Sequence, residues 1–306
     1  MGSLSTSFGS FFERSISQMN GLRSQIDRAQ TQIATGSRIE RGSQDPAAAA
    51  ALRVLDRRAR LTEAASANAA QLGQELGLAD RELQGVSALL QRARELAVAA
   101  GNSPLGPTGR AAIAAELAQL QQELFTRANA TTPGGEPLFA GDVAGPAFTR
   151  DASGAVIYAG SATVPAIPLA PGTVIERGLP GSQIFEFEQG GVPSSAFAVL
   201  GALASALSSG TGDPAAAARD AIAGLDGALD TIGRAQTILG TRAVWVDMIQ
   251  AEQQGRAVDL AERRSEIGDT QISEAIIRLQ QAMTALEASQ SAFARISSLS
   301  LFRALS

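Results

Sequence analysis

The stretch IFEFEQGG places two carboxylates, Glu186 and Glu188, two residues apart, the only close acidic pair in the Gly- and Pro-rich middle of the chain. Paired carboxylates can divide general-acid and general-base work between them. The plainer reading is a strand with one solvated face. The other candidates for chemistry are few. The chain contains no His and no Cys, and every basic residue is Arg. That removes imidazole bases, thiol nucleophiles, disulfides, the commonest zinc ligands and any Ser–Lys device. The run Glu262, Arg263, Arg264 and Glu266 lies on a helix and reads as a solvated face or a source of i,i+4 pairs with its neighbours. Trp245, the only Trp, lies in RAVWVDMIQ on an apolar helical face and reads as core. The expectation is a chain that is not an enzyme and holds no cofactor and no metal.

Composition narrows the class. The 306 residues are 45% hydrophobic yet only 4% aromatic, so Ala and other small residues supply much of the apolar surface. Such surfaces suit close helix–helix packing. The net charge is −5 and there is no long Arg run. Nucleic acid is therefore not expected as a partner, because the phosphate backbone demands a basic footprint. No window approaches the ~20 apolar residues of a membrane helix, so no membrane partner is expected either. The start, MGSLSTSFGSFFERS, lacks the basic and apolar regions of a cleaved signal. It reads as cytosolic, or exported by a route without one.

The elements that position these residues are mostly helical. Phe12, Met19, Ile26 and Ile33 fall one heptad apart, with Leu22 and Ala29 between them. Near the other end Ile272, Leu279, Leu286 and Phe293 do the same, with a second row of Ile276 and Met283. Each tract predicts a helix with a narrow apolar seam, and two such seams at opposite ends invite antiparallel pairing. Beyond Phe293 the cluster Leu301, Phe302 and Leu305 turns to another side, which suits a different neighbour. A third tract, Leu72, Leu76, Ala79, Leu83, Val86, Leu90, Ala93 and Ala97, is broken by GNSPLGPTG and resumes with Ile113, Leu117, Leu120 and Leu124. A fourth covers roughly 194–267. The pairs Asp45–Pro46 and Asp213–Pro214 are helix starts: Asp caps the orphan amides and Pro loses no bond at the first position. Arg38, in a loop beside a cap, could tie that loop to a carboxylate on a neighbouring helix. Between these helices the stretch 142–192 is dense in Gly and Pro, with short β-branched runs, and predicts a small β-rich insert.

The fold expected is mainly α: a long antiparallel helical hairpin or coiled coil formed by the N- and C-terminal halves, with that insert at its far end. The segments are 1–40, a terminal helix; 41–141, the first half of a helical rod; 142–192, the insert; 193–266, the second half; and 267–306, a terminal helix.

Four motifs in this order resemble the flagellin superfamily, and within it the branch that joins hook to filament. IATGSRIERGSQDPAAAA is similar to the family's N-terminal signature, through Gly36, Arg38, Ile39, Asp45 and Pro46. LLQRARELAVAAGNS with RAAIAAELAQLQQELFTRANA resembles its helical hairpin. NATTPGGEPLFAG resembles its turn, through Asn129, Gly135, Leu138, Phe139 and Gly141. SAFARISSLSLFRAL is similar to the C-terminus of the junction branch. The resemblance implies an axial component of the bacterial flagellum, exported unfolded by a type III apparatus and located outside the cell. It implies a homo-oligomer in a helical assembly, with a neighbouring hook-associated protein and flagellin as partners and a dedicated export chaperone. The terminal seams then become subunit interfaces. The alternatives are a filament flagellin and a flagellin-like surface adhesin using the insert.

Overall fold

The computed structural model describes residues 2–102, 106–170, 172–209 and 213–304, without the side chains of 2–9, 11 and 298–304. Their order is α1 (Gly2–Thr35), α2 (Pro46–Asn102), α3 (Pro107–Ala128), β1 (Phe148–Arg150), β2 (Val156–Tyr158), β3 (Ala166–Ala170), β4 (Thr173–Glu176), α4 (Gly181–Phe185), β5 (Glu186–Gln189), β6 (Val192–Ser195), α5 (Ala196–Ser209), α6 (Pro214–Gly268) and α7 (Ile272–Ala304). The fold is mainly α with a small β region, as the periodicities predict. Both Asp–Pro pairs start helices. Asp45 Oδ1 accepts the Ala48 amide at 3.0 Å, and Asp213 Oδ1 accepts that of Ala215 at 2.9 Å. Each satisfies one of the donors that a helix start leaves unpaired.

The chain forms two compact units, 62–255 and 1–61 with 256–306. In the first, one face of α2 is sealed: Leu72, Leu76, Ala79, Leu83, Val86, Leu90, Ala93 and Ala97 are all buried. Leu117 and Leu124 of α3 complete that face, with Ile113 and Leu120 partly covered. α3 returns antiparallel to α2, with Arg92 on Glu116 at 2.8 Å and Arg127 on Glu82 at 3.1 Å. α5 closes the core with Leu200 and Leu203, and α6 with Leu225, Ala228, Ile232, Ala235 and Leu239, spaced by threes and fours.

The strands make three separate antiparallel hairpins, β1–β2, β3–β4 and β5–β6. A lone hairpin is marginal in water, so each depends on what it packs against. The first is anchored by an aromatic cluster. Phe148 meets Phe185 edge-to-face at 5.2 Å and Phe197 at 5.1 Å, and Phe139 meets Phe185 at 5.9 Å. The second is held to helices by its backbone: Asn68 of α2 donates to Pro168 O and Gln253 of α6 to Leu169 O, both at 3.2 Å. Beside it Glu75, a buried carboxylate on α2, accepts two bonds from Arg177, which also contacts Glu136. Arg242 of α6 reaches Glu176 and the Gly178 carbonyl. A charge this buried persists only when paired.

Trp245 departs from its sequence reading. It is not core but 52% exposed, with Val244 and Met248 exposed beside it. The face of α6 that enters the core runs through Leu239, Val246 and Ile249, and one residue of rotation carries Trp245 off it.

Candidate assembly surface of the terminal helices

In the second unit α1 and α7 lie antiparallel. Phe12 packs edge-to-face on Phe293, with ring centres 5.1 Å apart, while at the other end Gly36 O accepts the Thr270 amide at 2.8 Å. Phe12, Met19, Leu22, Ile26, Ala29 and Ile33 are the covered apolar positions of α1 among the described side chains, between exposed flanks. On α7, Leu279, Leu286 and Phe293 occupy the facing row. Most of these side chains are only half-buried; Ala29, Ala275 and Ala282 are the deeply buried ones.

The second row of α7, and the start of the first, differ from the sequence reading. Ile272, Ile276 and Met283 do not enter the seam; they are exposed, with Ile277 and, on α1, Ile16. Ala275 and Ala282, one residue earlier in each heptad, face α1 instead. A methyl group lets two backbones approach where an isoleucine would hold them apart. The large apolar side chains are thereby turned outward, available to a neighbour. Leu301, Phe302 and Leu305 lie outside the residues with described side chains.

The motif residues divide between the units. Gly36, at φ +68°, ends α1 in the left-handed conformation that favours glycine. Arg38 does not seek a carboxylate on another helix. Its Nε and Nη2 donate to the Ile267 carbonyl at 3.0 and 2.7 Å, and its Nη1 stands 3.4 Å from Asp45 Oδ2 in its own loop. The end of α6 exposes carbonyls and the negative end of the helix dipole, and a guanidinium satisfies both. Arg38 N also donates to Gly268 O at 2.7 Å, so Arg38 ties its loop, and through Asp45 the start of α2, to the end of α6.

In the other unit the Asn129 side chain acts as a strand edge. Its Oδ1 accepts the Phe148 amide at 2.9 Å and its Nδ2 donates to Phe148 O at 3.0 Å. Leu138 N donates to Ala130 O at 3.0 Å, and Phe139 is buried in the aromatic cluster. Gly141 has φ +70°, and a Cβ there would lie 2.3 Å from Ser161 O. These four residues hold the turn that leads from α3 into the hairpins. Sequence reasoning missed the Glu75–Arg177 pair, whose partners stand 102 positions apart with no local signal.

The acidic pair behaves as a strand face. Glu186 and Glu188 point outward while Phe187 and Gln189 are half-covered. Partial burial raises the Glu186 carboxyl above its ordinary range. Tyr158 is no open aromatic platform: its ring tilts against Phe148, its hydroxyl lies 2.8 Å from Ser161 O, and burial pushes its pKa up. Among the described residues no group of His, Cys, Asp or Glu could hold a metal ion, and no helix is long and apolar enough to cross a membrane.

Residues 14–144 match the family described as the bacterial flagellin N-terminal helical region. Over 288 residues the chain is 27% identical to flagellar hook-associated protein 3 of Escherichia coli K12, spanning 89% of this chain and 90% of the relative. It is 25% identical over 308 residues to the protein of the same name from Salmonella typhimurium LT2, spanning 95% and 96%. Among solved structures, FlgL of Xanthomonas campestris shares the fold with a TM-score of 0.62 at 20% identity, over 69% of this chain and 99% of that one.

Proposed function

We propose, since the chain belongs to the flagellin superfamily, that it is a structural axial protein of the bacterial flagellum that joins hook to filament, polymerising through its terminal helices. The observation that carries the mechanism is the outward row Ile272, Ile276, Ile277 and Met283 on a helix pair whose own seam is only half-covered. Burying one such side chain contributes roughly 1.5–3 kcal/mol. Two helices alone leave about half of that unrealised, and adjacent subunits supply the missing cover. Hook-associated protein relatives that match nearly the whole chain, and not the N-terminal region alone, favour the junction role over a filament subunit.

Several finer assignments belong to this reading. Segments 1–40 and 267–306 are the assembly helices, the first of them also the export segment, 41–141 and 193–266 the two halves of the rod, and 142–192 the insert. The assembly interface comprises Phe12, Met19, Ile26, Ile33, Ile272, Ile276, Leu279, Met283, Leu286 and Phe293, with Leu301, Phe302 and Leu305 at the tail. The neighbours are copies of the chain, a hook-associated protein and flagellin. The protein reaches the outside of the cell by flagellar type III export with a chaperone, and it performs no catalysis. Deleting the gene and imaging the cells tests the role. Hooks without filaments, with flagellin shed into the medium, are expected; normal filaments overturn it.

A further inference from the structure

One side of the α1–α7 pair forms a groove of about 460 Å³. Its floor is small and apolar, with Ala29 and Ala282 at the centre, and its walls carry Arg28, Arg278, Gln25 and Gln281. No carboxylate lines it, although the whole chain is acidic at −5. Each guanidinium is oriented from its own helix: Arg28 Nε donates to Ser24 O at 3.0 Å and Arg278 Nε to Glu274 O at 3.4 Å. The terminal nitrogens of both have no acceptor among the described residues. Two oriented cations above an alanine floor suit a slim helix that presents carboxylates and small apolar side chains.

The same unit carries a face of that kind elsewhere. Val258, Asp259, Glu262 and Glu266 lie at helical spacing on one side of α6, and all four are exposed. Among the described residues none of the three carboxylates forms an ion pair, whereas nearby Arg264 has Asp56 at 3.4 Å. No described ion pair joins groove to stripe within one protomer.

We infer that the Arg28/Arg278 groove of one subunit receives the Asp259–Glu262–Glu266 face of α6 from a second copy of this chain. The two patches are different surfaces, so the contact is heterologous. Such contacts, when the rotation does not close, propagate as a helix. The inference rests on the polymer reading above and deepens it by naming which surfaces meet. Charge complementarity of this type sets register and suppresses wrong pairings more than it adds affinity.

The absence of Cys makes the test direct. Full-length chains carrying Gln281→Cys and Glu262→Cys are co-expressed in cells lacking the native gene, flagella are isolated, and mild oxidant is applied. A mixed dimer linking the two single-cysteine chains is expected, and it is necessarily intermolecular. Incorporated chains that give no mixed dimer overturn the inference while leaving the polymer reading intact. Cross-linking of Gln281→Cys to flagellin or to another hook-associated protein also overturns it, since the groove then has another occupant. Native chain absent from flagella altogether overturns both.

A charge-reversal set guards against cysteine variants that misfold. Arg28→Glu with Arg278→Glu should cut incorporation about tenfold or more. Adding Glu262→Arg and Glu266→Arg to the same chain should restore most of it. Loss without restoration, in chains of native helicity, counts against the pairing.

Discussion

Asn129 and Phe148 exchange two hydrogen bonds, the Phe148 amide to Asn129 Oδ1 at 2.9 Å and Asn129 Nδ2 to the Phe148 carbonyl at 3.0 Å. A side chain just after α3 thus substitutes for a neighbouring strand and fixes where β1 begins. Asn129→Ala leaves a part-buried amide and carbonyl without partners and should cost about 1–3 kcal/mol. Asn129→Asp keeps the acceptor but loses the donor, so it should fall between. Urea denaturation of the three proteins checks the order; equal midpoints would show that the Asn129 bonds contribute nothing.

Gly141 offers a sharper steric test. At φ +70° an alanine is strained, and its Cβ would also meet Ser161 O at 2.3 Å and Thr163 O at 2.6 Å. Both obstacles are backbone. Gly141→Ala should therefore lose more than about 2 kcal/mol. Gly154 has φ +85° but open space around its Cβ position. Gly154→Ala should lose only the conformational part, and thermal melts of the pair separate clash from strain.

The cap at α2 is testable beside the Arg38 bond. Asp45→Ala should cost about 0.5–2 kcal/mol, the loss of one N-cap. Arg38→Ala removes donors from the Ile267 carbonyl at an exposed site, so its effect on global stability should be small. The local effect is larger: the amides of 268–270 should exchange hydrogen faster in Arg38→Ala than in the native chain. Unchanged exchange would place the hold on this joint elsewhere.

Trp245 is the only Trp and is half-exposed, which makes it a reporter. In the soluble protein its emission should be that of a wetted indole, readily quenched by iodide. If α6 contributes that face to subunit packing, the emission should shift to the blue and quenching should fall on assembly. Constant quenching would show that the Val244–Trp245–Met248 face stays in water.

Two carboxyls should titrate in opposite directions. Burial raises Glu186, so the folded state binds that proton more tightly than the unfolded chain. Its contribution to stability falls as pH rises from the ordinary carboxylate range through the raised folded value. Asp151 is lowered, first by the Ser153 hydroxyl and then by amides in its turn. Its contribution is present above the ordinary Asp range and is lost as pH falls through the lowered value. Carboxyl-carbon NMR titration, with Glu186→Gln and Asp151→Asn as controls, reads both signs.

The sequence by itself determined the segments: where α2 and α6 begin, at Asp45–Pro46 and Asp213–Pro214; which face of α2 is core, from Leu72 to Ala97; and that seams run along both terminal helices. These are local properties, set by capping chemistry and by the 3.6-residue repeat, and they survive removal from context. Only the tertiary structure decided which of two adjacent rows faces a partner. It chose Ala275 and Ala282 over Ile276 and Met283, turned Trp245 to solvent, and sent Arg38 to the Ile267 carbonyl. A rotation of one residue along a helix exchanges its rows, so the outcome rests on how closely two backbones can approach. Glu75 and Arg177 make the same point across 102 positions: nothing near either residue specifies the other, and only the docking of the β3–β4 hairpin beside α2 brings them together.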